Sequence, residues 1–368
     1  MGGCEARSGR RSARRRFLEQ ALAIEAEDAR SAGELGFMAR IFVQATLPHS
    51  RPAAHEFERV NGRYSLHLVA PPSVGLPYGS YPRLVLAWLT TEAVRTKSPE
   101  IRLGPTFSEF MYRLGLTPVT GKRGTVPRLR DQLHRLFSTT IRWTYTDESD
   151  GRASGRGYVI AGEHHLRWSS TDPARRSLWR SRVVLSQDFF DEIRKGAVPV
   201  DLRALRLLKR SPLALDTYVW LTYRMSYLRR PCLIPWEALQ KQFGADYGRL
   251  ADFQQRLLRS LALVMQVYPH ARVSRTALGL RLYRSPTHVA AHGVDADSGP
   301  RPERPTASLL RIRSSTRPTA SYEAKLHQRW SLPIRVAVPV LKTPQLARRD
   351  QKLDEAQPPS LGGRGGRS

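Results

Sequence analysis

At 368 residues the chain is long enough for two or three domains of roughly 100–200 residues each, which excludes a peptide hormone or a small disulfide knot. Its 60 Lys and Arg against 32 Asp and Glu leave a formal net charge of +28, and only eight of the basic residues are Lys. Arginine forks onto phosphates and guanine edges, so a charge of this size and type points to a polyanionic partner, nucleic acid first. An arginine-biased genome accounts for Arg over Lys but not for the net excess.

The first 16 residues hold six arginines among Gly and Ser and read as a mobile basic tail. Arg14-Arg15-Arg16-Phe17-Leu18 has the look of a twin-arginine export signal, but Glu19, Glu25, Glu27 and Asp28 stand where an apolar stretch belongs. Met1-Gly2 invites myristoylation, but Ala6 occupies the position that needs Ser or Thr. The two cysteines, Cys4 and Cys232, make neither a disulfide framework nor a four-ligand zinc site. No apolar run approaches the roughly 18 residues of a membrane span. The expectation is a reducing, cytoplasmic setting with no membrane contact, no metal and no cofactor.

Residues 1–34 divide into the tail and an amphipathic helix from Phe17 to Arg30. Residues 35–77 form an extension with strand-like runs at Ile41 to Leu47 and Tyr64 to Val69. From Tyr78 onward a degenerate repeat appears at an offset of about 130 residues, a self-similarity that signals repeated architecture. One copy opens with a helix marked by Ser80 and Pro82, the other with Ser211-Pro212, and Trp88-Leu89-Thr90 answers Trp220-Leu221-Thr222. Proline is tolerated in the first turn of a helix. Short strands follow at Ile101 to Leu103 and Cys232 to Ile234. Second helices run from Thr106 to a stop at Gly115 and from Pro235 to a stop at Gly244, glycine serving as the C-terminal signal.

Third helices come next. Val126, Leu129, Leu133 and Leu136 form one apolar stripe; Leu250, Phe253, Leu257, Leu261 and Val264 form the other, each at helical period. Strands then return: Ile141 to Tyr145, a Gly-rich tip over Asp147 to Gly157, then Tyr158 to Ile160, Leu166 to Trp168 and Val183 to Leu185 in the first copy. The second copy has Ala271 to Val273, a tip near Gly279, and Leu280 to Tyr283. Helix, strand, helix, helix, hairpin is winged-helix order. The expected fold is therefore α+β: two tandem winged-helix domains, 78–200 and 201–288, with Phe189 to Leu208 as the link and disordered basic termini, the second over 289–368, rich in Pro, Arg, Gly and Ser.

A helix that enters the major groove needs an apolar back and a basic, polar front. Lys122, Arg123, Arg128, Arg130, Arg135 and Arg142 face only Asp131 across the first third-helix stretch, where Thr125 adds a hydroxyl. Arg249, Arg256, Arg259, Arg272 and Arg275 face only Asp252 across the second. Gln254 and Gln255 carry amides of the kind that pair bidentately with adenine. Arg152 and Arg156 in the first hairpin tip, and Arg275 and Arg281 around the second, extend the candidate contacts. Eight or so such groups on phosphates give a slope near −7 of log K against log[salt], at roughly −0.9 per contact. The acidic run Asp147-Glu148-Ser149-Asp150 suits a solvated turn better than a cation site.

Three patterns suggest enzymes and fail. Gly115 to Arg123 has five residues between its glycines and Arg123 after Lys122, whereas a P-loop wants four and then Ser or Thr. His164-His165 are adjacent, so on a strand their rings point to opposite faces. Tyr218, Tyr223 and Tyr227 share a helix with Arg224, Arg229 and Arg230, yet no second cluster completes a recombinase site. Trp143, Tyr145, Trp168 and Trp179 are read as filling for the first wing, with stacking on exposed bases as the alternative.

The segments Leu76-Pro77-Tyr78-Gly79, Pro82-Arg83-Leu84, Phe107-Ser108-Glu109-Phe110, Leu114-Gly115, Gly121-Lys122-Arg123-Gly124 and Arg135-Leu136-Phe137, followed by Ser186-Gln187-Asp188-Phe189-Phe190 and Pro212-Leu213-Ala214-Leu215-Asp216 with Tyr218, resemble the plasmid-encoded RepA family of replication initiators. The likeness covers about Leu76 to Tyr283. It implies a non-enzymatic protein that binds repeats in double-stranded origin DNA, promotes opening, and brings in the host helicase or its loader; self-association as a dimer is a further expectation. A sequence-specific transcriptional repressor built from the same modules is the alternative.

Overall fold

The protein is described here by a computed structural model covering residues 2–147, 152–166, 172–174, 181–244 and 247–289. It is a mixed helix and sheet structure, and the described residues all lie in one unit. At its centre are α3 (Ser80–Thr96) and α8 (Pro212–Tyr227), which pack on each other. Both are apolar nearly all round: Leu84 to Leu89 and Leu213 to Leu215 are buried in turn, the signature of helices inside a core. Ser211 caps α8, its hydroxyl accepting from Ala214 N at 3.1 Å, with Pro212 in the first turn as the sequence predicts.

The first copy continues through β4 (Glu100–Gly104), α4 (Phe107–Arg113) and α5 (Thr125–Ser138); the second through β10 (Cys232–Pro235), α9 (Trp236–Phe243) and α10 (Leu250–Val267). Thr106 caps α4 through Glu109 N at 3.0 Å. Gly115 ends it at φ +70°, a left-handed conformation that glycine adopts without cost. Gly244 ends α9 for a different reason: a Cβ there would meet the Phe253 ring at 2.5 Å, so the position is small because α10 crosses it closely.

The sheets are antiparallel and join distant segments. In the second copy β11 (Arg272–Arg275) and β12 (Gly279–Tyr283) form a hairpin that adds to β10 in the order β10-β12-β11. In the first copy the hairpin of β5 (Thr140–Asp147) and β6 (Arg152–Val159) leaves β4 and adds instead to β2 (Glu56–Asn61) and β3 (Tyr64–Val69). Leu66 sits opposite Trp143 and Leu68 opposite Ile141, which ties residues from the extension into the first copy. β4 pairs with β8 (Ser181–Leu185), which pairs with β7 (Ala161–His165).

Several expectations are corrected. Residues 2–16 of the expected basic tail lie within α1 (Gly2–Ala26), which packs on α10 and on α7 (Leu202–Leu208). Ile41 to Leu47 is not a strand: β1 (Leu35–Ala39) precedes it, and Ile41–Gln44 form α2, whose Ile41, Phe42 and Val43 are all buried. The supposed link from Phe189 to Leu208 is ordered as α6 (Gln187–Gly196), β9 (Ala197–Asp201) and α7 (Leu202–Leu208), with β9 paired to β1. The Gly-rich tip is shorter than expected, because Arg152 to Gly157 run as strand with Asp147 opposite Arg152. Residues 290–368, and with them nearly all of the second expected tail, lie outside the described residues.

Candidate nucleic-acid interface

The helix α10 divides as its spacing predicts. Phe253, Leu257, Leu261 and Val264 are buried at 1% exposure or less, while Asp252, Gln255, Arg256 and Arg259 form the exposed stripe on the other side. Gln254 is half-buried at the edge of that stripe. Arg249 is open to solvent at the helix start, 3.9 Å from Asp252, a separation at which an exposed pair contributes little. Arg256 and Arg259 are therefore presented side by side on a helix propped from behind by core residues.

The turn of the hairpin that follows α10 in the chain is held firmly by the start of α9. Trp236 donates its indole N–H to Ala277 O at 3.1 Å, Trp236 N donates to Leu278 O at 3.1 Å, and Gly279 N donates to Thr276 Oγ1 at 3.0 Å. Gly279 is required there because a Cβ would meet Ile234 O at 2.0 Å. The hairpin carries Arg272, Arg275 and Arg281, all exposed, with the Arg272 guanidinium 5.8 Å from the Tyr283 ring centre.

The first copy departs from the expected face. On α5, Arg128 is exposed, with Asp131 and His134 following on the same side. Arg130 is half-buried, 5.7 Å from the Phe107 ring centre. Arg135 turns inward: its side chain is 10% exposed, it donates to Asp131 Oδ2 at 2.8 Å, and it lies over the Tyr78 ring. The i,i+4 spacing of Asp131 and Arg135 was the available signal. Gln132 is buried as well, its Oε1 accepting from Tyr78 N at 2.8 Å. The Thr125 hydroxyl is engaged, donating to Thr117 O at 2.6 Å and accepting from Val119 N at 2.9 Å. Lys122 and Arg123 are exposed on the turn before α5.

The remaining candidates are on the sheet. Arg142 is exposed on β5, opposite Gly157 and His67. Arg156 lies within β6 and not at a tip, 3.7 Å from Asp188. The side chain of Arg152 lies outside the described residues, as do Glu148, Ser149, Asp150, Trp168 and Trp179. Among the described residues no cluster of three or more His, Cys, Asp or Glu is placed to hold a metal, and no helix is long and apolar enough to cross a membrane. His165 pairs with Glu163 at 2.5 Å and His164 lies against the Phe137 ring. Tyr218 is fully buried, and burial holds its phenol far above the ordinary range, a state opposite to that of a nucleophile.

Fold and site together define an α+β protein in which a basic, amide-bearing helix face is followed in the chain by a basic hairpin. Residues 76–237 match the family of plasmid-encoded RepA proteins, so the likeness read from Leu76 onward is borne out over that segment. Among solved structures the chain is similar to domains 2 and 3 of RctB, at 12% identity and a TM-score of 0.45, over 68% of this chain and 97% of that one. A second structure of RctB domains 2-3 aligns at 15% identity and a TM-score of 0.39, over 64% of this chain and 84% of that one. No curated protein sequence matches.

Proposed function

We propose that the protein is a cytoplasmic, non-enzymatic initiator of plasmid replication, binding repeated double-stranded sites at the origin through two winged-helix units, 78–200 and 201–288. The observation that carries this is the exposed stripe of Gln255, Arg256 and Arg259 on α10, together with the exposed arginines of the hairpin that follows it; the RepA family match supports it. An α-helix of this kind fits the major groove, with a hairpin reaching the backbone or the minor groove beside it. Several protomers on consecutive repeats would bend the DNA and strain a flexible A·T-rich neighbour. Opening is then driven by binding free energy, and the host helicase or its loader engages the opened strand. The uneven charge of the two copies makes α10 the stronger reading head and α5, with Arg128, Lys122 and Arg123, the weaker.

Footprinting on the DNA flanking the coding region, with permanganate probing of unpaired thymines, tests the reading. Protection of repeated sites with reactive thymines beside them is the expected result. Equal binding to random and origin DNA would refute it, and protection with no melted thymines would make the protein a repressor.

A further inference from the structure

Two aromatic groups far apart in the sequence line one cleft. Tyr64 on β3 and Tyr145 on β5 are cross-strand partners whose ring centres lie 4.9 Å apart. Tyr223 and Tyr227, one turn apart on α8, have centres 5.1 Å apart. All four line a cavity of about 390 Å³. A second cavity of about 330 Å³ shares Gln44, Tyr64, Tyr145 and Tyr223 with it and adds Trp143 and Arg40. These volumes fall at the small end of the roughly 300–1,000 Å³ typical of ligand sites; a flat ring fits, and a duplex does not. The cleft is also basic: among the described residues Arg40, Arg63 and Arg224 line it against the carboxylate of Glu192.

Two of these arginines are held against the rings. Arg63 donates to the Tyr145 hydroxyl at 3.3 Å; Arg224 donates to the Tyr227 hydroxyl at 2.8 Å, its guanidinium 5.6 Å from that ring's centre. The rings are not core filling. Tyr227 is 47% exposed and the other three are half-buried, whereas Tyr218 on the same helix is wholly enclosed. Trp143 Nε1 and Arg224 Nε are buried donors that no group among the described residues accepts, an unmet demand of the kind that folded proteins rarely leave. Accessible π-faces beside guanidinium groups are what single strands use, bases stacking on the rings while arginines follow the phosphates.

We propose that this cleft binds single-stranded DNA, with unstacked bases on the Tyr64–Tyr145 and Tyr223–Tyr227 pairs and the backbone drawn in by Arg63 and Arg224. The Gln44 side chain supplies an amide to a base edge. Burial, then the neighbouring Tyr227, keep the Tyr223 phenol above its ordinary pKa, so the ring meets the strand uncharged. Its role rests on the initiator reading, since a protein that opens duplex DNA gains by holding one of the freed strands.

Fluorescence anisotropy of a labelled thymidine oligonucleotide of about 12 nucleotides, within the site sizes known for such grooves, tests the proposal, with an origin duplex measured in parallel. The full-length Tyr223→Ala/Tyr227→Ala protein should lose single-strand affinity by roughly tenfold or more, Tyr223→Phe/Tyr227→Phe should retain it, and duplex affinity should not change. Arg63→Ala should weaken the single strand and flatten its salt dependence. Wild-type single-strand affinity in the alanine pair overturns the proposal. So does a parallel loss on duplex, failure of the phenylalanine pair, or equal saturation by thymidine monophosphate, which would mark a free-nucleotide site. Ring-dependent single-strand binding in a protein with no preference for origin duplex would refute the initiator reading and leave the cleft standing.

Discussion

Arg83 on α3 and Asp216 on α8 form a buried bidentate ion pair: Nε to Oδ1 and Nη2 to Oδ2 are both 2.7 Å, with the side chains 4% and 8% exposed. The remaining guanidinium donors reach Leu47 O at 2.6 Å, Pro48 O at 3.1 Å and Gly79 O at 2.6 Å, so all five are used. His49 adds a contact from Nε2 to Asp216 Oδ2 at 2.7 Å. Burial works to raise the Asp216 pKa, but the Arg83 charge and the hydrogen bonds from His49 and Arg83 hold it below the ordinary carboxylate value. The pair thus clamps α3, α8 and the segment before β2 in one arrangement.

Breaking one side of such a pair strands the other as an uncompensated buried charge. Asp216→Ala should therefore cost about 3–5 kcal/mol, read as a drop in the denaturant midpoint. Adding Arg83→Met should recover part of that loss, because the stranded charge is gone. A strictly additive double variant would contradict the coupling.

Acid should weaken the fold before it protonates most carboxylates. The Tyr218 hydroxyl accepts from Asp201 N at 3.0 Å and meets His288 Nδ1 at 2.7 Å, an arrangement that lets Tyr218 donate only to a neutral imidazole. Burial drives the His288 pKa down to about 4, and burial lowers His49 in the same direction. The unfolded chain, with a histidine pKa near 6.5, then binds protons that the native state refuses. Stability is whole above about pH 6.5 and falls as pH drops toward 4. The denaturant midpoint should follow that course, with a shallower slope in His288→Asn; an equal slope in the variant would show that His288 is not the group responsible.

Arg128 and Arg135 separate surface from interior on α5. Arg135→Ala removes the partner of Asp131 and the cover over Tyr78 and should destabilise by about 1–3 kcal/mol without altering the salt slope of DNA binding. Arg128→Ala should leave the melting temperature within about 2 °C and make the slope shallower by about 0.9. Paired melting and binding measurements across both variants check this.

Local signals were legible and long-range ones were not. The Ser211-Pro212 start, the Gly115 stop and the α10 stripe each sit within a few residues of what they determine, and each is found as read. Ile41-Phe42-Val43 misled because a short, wholly buried apolar run has no period to tell strand from helix. The pairing of β9 with β1 joins residues 197–201 to residues 35–39, and nothing local to either announces the other. Gly155 reads as loop, yet it lies in β6, where a Cβ would press on Trp143 O at 2.9 Å. Net charge counted along α5 overstated its face, because the count could not see Arg135 turn inward. The Tyr64, Tyr145, Tyr223 and Tyr227 cleft is assembled from three separate elements, so neither of the two aromatic groups noted in the sequence revealed the other.

The most direct measurement is the affinity of the Arg256→Ala/Arg259→Ala protein for an origin repeat across a salt series. The loss of two phosphate or base contacts should lower affinity by at least roughly tenfold and reduce the slope of log K against log[salt] by about 1.8, with the melting temperature unchanged. Undiminished recognition of the repeat by the doubly neutralised protein would contradict α10 as the reading helix.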